Sequence, residues 1–180
     1  MISNVSLQQL LVDLKRIGGP GSEILTTDVI VLSGGYVAAP SAGSTITQPA
    51  PVKLYDEYEY YIREIRVSTD AVPDAAGGTT RLFVSDLQHL VFNLSADGRT
   101  RNLFRAAIPF AMFVSPAGES VPMRLDQWIA LSGSETLRAD VATSGVFNAR
   151  GVNAELHFTI VCVASVIRRN ALLSPASPRR

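Results

Sequence analysis

Cysteine, lysine and histidine are scarce in this chain of 180 residues, and charge is missing altogether across 24 consecutive positions, Val29 to Val52. The single cysteine, Cys162, excludes an intrachain disulfide and any cysteine-based metal cluster. It sits in the apolar run Ile160 to Val163, where a buried, inert thiol is expected rather than a nucleophile. With only His89 and His157, a His-rich zinc site is excluded. No run reaches the roughly 20 apolar residues that span a bilayer. Asp13, Lys15 and Arg16 interrupt the only stretch that could serve as a signal peptide, so none is expected. A P-loop, a dinucleotide fingerprint, a nucleophile elbow and an EF-hand loop are all missing. Accordingly no catalytic residue, cofactor or resident metal is expected.

Net charge is missing too: 16 basic and 16 acidic side chains cancel. A general electrostatic binder of nucleic acid or membrane needs a basic excess, so neither partner is expected for the chain as a whole. Neutrality also removes the self-repulsion that keeps many soluble proteins apart. The balance is uneven along the chain. Residues 1 to 90 hold 6 basic and 10 acidic side chains, whereas residues 91 to 180 hold 10 and 6, so the halves are complementary. Only Lys15 and Lys53 are lysines among the basic residues. Arginine is the cation enriched at protein interfaces, because its planar fork pairs bidentately and stacks; codon bias explains the same excess without an interface.

What is present is 47% hydrophobic residues, enough for a core. Leu7, Leu10, Leu11 and Leu14 recur at helical spacing, Ser6 with Gln9 matches a capping box, and Gly18 gives a stop. A helix this short needs a surface to dock on, either its own domain or a neighbouring subunit. Ile24 to Leu32 reads as a strand. Ser33 to Val52 is dominated by Gly, Ala, Ser, Thr and Pro, with Pro40, Pro49 and Pro51; it reads as an extended arm able to lie along another subunit.

From Glu57 the pattern is β. In Tyr58 to Thr69 the apolar parity switches near Arg63 and Glu64, which predicts a β-bulge or a strand crossing between sheets. Arg81 to Val84, Leu87 to Leu94 and Ala107 to Val114 read as short strands, with Pro109 at an edge. Asp97-Gly98 is a hairpin signal. Met123 to Leu131 and Leu137 to Val141 alternate, and Val152 to Val166 places one wholly apolar face against Asn153, Glu155, His157 and Thr159. That opposite face turns apolar at Val161 and Val163, which suits a central strand covered on both faces at one end. At roughly 50 Å when extended, such a strand should kink. The organisation expected is an amphipathic helix over 1–18, a strand plus extended uncharged arm over 19–56, an all-β antiparallel sandwich of jelly-roll type over 57–168, and a basic tail over 169–180.

Candidate contact residues follow from these patterns. They are the leucine stripe; Tyr36, Tyr58, Tyr60 and Trp128, which offer amphipathic surface; Arg99, Arg101 and Arg105 after the hairpin signal; and Arg168, Arg169, Arg179 and Arg180 at the C-terminus. The tyrosine group could equally stack on a sugar or fill the core. The arginine tail is the one place where nucleic acid is a conceivable partner. Asp56, Glu57 and Glu59 fit either a calcium site or a solvated strand end paired with Arg. A hydrolase using His157 and Glu155 lacks a nucleophile.

The run Val121-Pro122-Met123-Arg124-Leu125-Asp126-Gln127-Trp128-Ile129-Ala130-Leu131, then Ser134 to Val141 and the long final strand, resembles the small β-sandwich structural proteins of bacteriophage virions. The resemblance spans Tyr58 to Arg168 and leaves the N-terminal helix and arm unmatched. It implies a non-enzymatic capsid decoration, connector or tail component located in the virion, a homo-oligomer that binds other virion subunits. A receptor- or carbohydrate-binding module is the alternative.

Overall fold

A computed structural model describes residues 23–39, 43–72, 87–97, 102–115, 120–143 and 154–168. The strands are β1 (Glu23–Ala39), β2 (Gly43–Thr47), β3 (Val52–Lys53), β4 (Tyr58–Val72), β5 (Leu90–Ala96), β6 (Ile108–Pro109), β7 (Met123–Ser132), β8 (Thr136–Thr143) and β9 (Ala154–Arg168). Every pairing is antiparallel. One sheet has the order β2-β1-β9-β4-β7 and the other β3-β8-β5-β6. The fold is therefore antiparallel β in two sheets, as the alternating runs predict. The leucine stripe, the strand expected at Arg81 to Val84 and the C-terminal tail lie outside the described residues.

Alternation puts one side of each long strand into a single core. Ile30, Leu32 and Tyr36 of β1, Ile62, Ile65 and Val67 of β4, and Leu156, Phe158, Ile160 and Cys162 of β9 are buried with Leu90, Phe92 and Leu94 of β5 and Leu137, Ala139 and Val141 of β8. Aromatic rings bridge the sheets: Phe110 meets Phe158 edge-on with centroids 5.2 Å apart, and Phe92 lies 5.5 Å from Phe110 and 5.7 Å from Phe113. The edge-to-face pairs Phe110–Phe158 and Phe92–Phe110 add to the apolar burial.

The parity switch in β4 is a bulge, with the register shifting between Ile62 and Glu64. The kink expected of the last strand has its counterpart in its neighbours. β1 shifts register between Leu25 and Asp28, and both irregularities lie opposite Ala164 of β9.

Two expectations need correction. The stretch read as an arm pairs within its own sheet: β1 continues to Ala39, and β2 turns back on it with Gly35 opposite Thr47 and Ala39 opposite Gly43. An uncharged run of small and β-branched residues has no charge to desolvate, so a sheet satisfies its backbone at little cost. Gly34 permits this, since a Cβ there would lie 2.5 Å from the Thr47 carbonyl oxygen and 2.6 Å from the Phe158 ring. The second is Ala107 to Val114, of which only Ile108–Pro109 is strand; Phe110–Phe113 is a 3-10 helix. Its three-residue turn places Phe110 and Phe113 on one side, and both are buried.

Candidate interaction surface

Outward side chains of the five-stranded sheet stand in rows fixed by register. Val29, Val163 and Glu64 form one row across β1, β9 and β4, with Arg124 of β7 beside Glu64. Val31, Val161 and Arg66 form the next, then Ser33, Thr159 and Ser68, and farther on Gly35 pairs with His157. The first two rows put four valines together. Val29 is 51% exposed and Val31 49%, while Val161 and Val163 are half-buried. A β-branched pair on a sheet is ordinary; here two exposed and two half-buried valines stand together beside an ion cluster.

That ion cluster centres on Glu64, whose Oε1 accepts from Arg66 Nε at 2.6 Å while Arg124 Nε lies 3.7 Å from Oε2. Both arginines are largely exposed, leaving donors available to a second acid. Farther along, the Ser33 and Thr159 hydroxyls are 3.2 Å apart, and His157 Nε2 lies 3.6 Å from Glu155 Oε1 with both side chains exposed. Between Tyr36, Thr47 and His157 the surface dips into an open depression of about 290 Å³.

At the other end of the same face the exposure vanishes. Ser165 is 3% exposed, Ile167 0% and Tyr61 9%, with Trp128 packed against the last two as a cluster separate from the main core. Arg63 Nη2 donates to Thr27 Oγ1 at 3.1 Å, linking β4 to β1 across β9.

The predicted contact residues divide. Tyr36 and Tyr60 are buried in the core; the Tyr60 hydroxyl accepts from the Tyr55 N–H at 3.3 Å, and burial raises its pKa above the ordinary phenol value. Tyr58 is half-buried, edge-on to both Tyr55 and Tyr60. Trp128 is half-buried in the second cluster and Arg105 is exposed. Arg168 Nη2 donates to Glu57 Oε2 at 3.2 Å, an exposed pair within the chain. Leu7, Leu10, Leu11, Leu14, Arg99, Arg101, Arg169, Arg179 and Arg180 lie outside the described residues. Cys162 is buried, and desolvation pushes its thiol up to about 12.

Sequence reasoning missed two side-chain clamps. Gln48 Nε2 donates to the Val141 carbonyl at 2.7 Å and its Oε1 accepts from the Val141 N–H at 2.9 Å, so one amide continues the β3 edge of the second sheet. Asn93 holds the backbone of Phe104 in the same way. No local pattern marks either residue, because the partner is remote in sequence. The outward valines did carry a signal: β1 is apolar at both parities from Val29 to Leu32. No group of three or more His, Cys, Asp or Glu able to hold a metal ion occurs among the described residues, nor does a helix long and apolar enough to cross a membrane. No protein-family model matches the chain, and no curated protein does.

Proposed function

We propose that the chain is a non-enzymatic structural subunit of a virion, a jelly-roll sandwich that self-associates and binds neighbouring capsid or tail subunits. The observation that carries the proposal is the nesting of strand pairs. With β2 set aside as a hairpin extension of β1, the remaining eight strands pair first with eighth, second with seventh, third with sixth and fourth with fifth. The eighth also pairs with the third, and the seventh with the fourth. A long antiparallel ribbon rolled on itself has this connectivity, and jelly rolls of viral capsids and lectins share it.

Fold alone does not select a function. The surface favours assembly: a valine patch with solvent-facing arginines beside it, on a chain with no net charge to oppose association. A sugar platform needs presented ring faces, whereas Tyr36, Tyr60 and Tyr61 are buried and only Tyr55, at 69%, is prominently exposed among the described tyrosines. Mass measurement of the native protein, followed by imaging of particles from its source, tests the reading. Discrete oligomers and incorporation into particles support it; a strict monomer that never enters particles ends it.

A further inference from the structure

Two outward rows of the five-stranded sheet carry a pattern that a single copy does not use. Val29, Val163 and Glu64 stand in one row, and Val31, Val161 and Arg66 in the next, two residues away on each strand. Each row runs from apolar side chains on β1 and β9 to a charged one on β4, acidic in the first row and basic in the second. Val29 is 51% exposed and Val31 49%. Arg66 is 55% exposed, and Glu64 Oε1 engages its Nε, which leaves both Nη groups to donate elsewhere. The other carboxylate oxygen, Oε2, has Arg124 Nε at 3.7 Å, beyond hydrogen-bond reach, so it keeps acceptor capacity.

We propose that this face binds a second copy of the chain, sheet against sheet, about a two-fold axis that runs across the strands between these two rows. The proposal rests on the self-association in the preceding reading and names its surface. Rotation about that axis sets each strand over its own counterpart and exchanges the rows. Val29 then lies over Val31 of the second copy, Val163 over its Val161 and Glu64 over its Arg66, each twice by symmetry. The valines form one apolar layer, and the Nη groups of each Arg66 meet the Oε2 of the facing Glu64. Stacked sheets lie about 10 Å apart with strand directions within about 30°, a gap that these long side chains span. Other arrangements lose the match. An axis through the second row sets Arg66 against Arg66, and one through the first sets Glu64 against Glu64. An axis parallel to the strands lays the valines of β1 over the charges of β4 and desolvates those charges against an apolar surface. Of these arrangements only the first is self-complementary in both apolar surface and charge, and a chain with no net charge adds no long-range repulsion.

Charge complementation tests the register. Glu64→Arg makes the charged side of the patch wholly basic, and Arg66→Glu adds a second acid to it; circular dichroism verifies that both chains fold. By mass in solution, each variant alone should fall to half the wild-type oligomer or to monomer. An equimolar mixture, in which every acid at these positions faces a base, should recover the wild-type mass with one copy of each kind per pair. Variants that keep the wild-type mass, or a mixture that does not recover it, overturn this surface and leave self-association standing. A monomeric wild-type chain overturns self-association itself, and this surface with it. A second measurement leaves the charges in place. Because Cys162 is buried, a bismaleimide spanning about 10 Å reads introduced thiols. In a mixture it should join Val29→Cys chains to Val31→Cys chains faster than it joins Ala142→Cys chains, whose thiol is exposed on the other sheet. Equal bridging, or none, overturns the proposal.

Discussion

One face of the five-stranded sheet has two ends that differ although they share strands. At the end near Ser165 and Ile167 the outward side chains are as buried as the core, whereas near Val29, Val31 and His157 they meet solvent. Inward positions of β9 show no such gradient: Leu156, Phe158, Ile160, Cys162, Ala164 and Val166 are all at most 3% exposed. The inner side is set by the opposing sheet and the outer side by whatever lies over it. Hydrophobic residues outside the core therefore fall into two groups here, one buried and one exposed to solvent.

The largest expected effect concerns the uniform inner side. Phe158→Ala removes a ring that touches Phe110 between the sheets and should cost about 3–5 kcal/mol in urea unfolding. A cost below about 1 kcal/mol would mean that the two sheets do not share a close-packed core. The next effect bears on the contrast itself. Ile167→Ala should cost about 2–4 kcal/mol, as for a core residue, while Val161→Ala on the half-buried part of the same strand should cost about 1 kcal/mol or less. Equal losses would erase the difference between the two ends.

Gln48→Ala ranks below these. It strips two hydrogen bonds from Val141 where β3 no longer supplies them, and leaving those backbone groups unpaired should cost about 1–3 kcal/mol. Unfolding midpoints of the alanine and wild-type chains check it. A neutral result would show that water replaces the amide and that the clamp is incidental.

The core was legible because alternation is a local signal. Leu137, Ala139 and Val141 alternate with exposed Arg138 and Asp140 in β8, and the parity switch at Arg63 and Glu64 marked the bulge in β4. The course of Ser33 to Thr47 was not legible. Glycine, serine and threonine do not announce a strand, and what holds them is the partner edge of β1 together with the Phe158 ring over Gly34. Phe110–Phe113 misled because four apolar residues in a row fit a strand or a helical turn equally well. Of the contact surface, the tyrosines were chosen by residue type, and register then took Tyr36 and Tyr60 inward. The exposed valines were passed over because a β-branched run looks like core until one knows which side the second sheet occupies.

A smaller effect distinguishes the inner side by pH. The Cys162 thiol keeps its proton up to about 12 in the folded chain, against an ordinary value of 9.0. Below 9.0 both states hold the proton and nothing changes. Above it the unfolded chain releases a proton that the folded chain retains, so stability falls as pH rises from 9.0 toward 12. Burial of the Tyr60 phenol contributes with the same sign. Cys162→Ala should flatten part of the slope in urea titrations between pH 8 and 10.5, whatever it costs at neutral pH. An unchanged slope would mean that the thiol is accessible.

The smallest stability effect carries the most functional weight. Val29→Thr and Val31→Thr keep the β-branched shape on an outward strand position and alter only the apolar surface shown to solvent, so unfolding free energy should move by no more than about 0.5 kcal/mol. If the valine rows are a contact between subunits, the double variant should nevertheless lose oligomers or particle incorporation, since Val29 and Val31 are exposed apolar surface in the single chain. A large loss of stability would instead mean that Val29 and Val31 pack within the fold as Ile167 does, and the two ends would cease to differ. Unchanged stability with unchanged assembly would move the contact elsewhere, to the exposed arginines around Glu64. Stability and assembly thus respond oppositely at the two ends: Ile167→Ala should weaken the fold first, and the valine substitutions should weaken only the association.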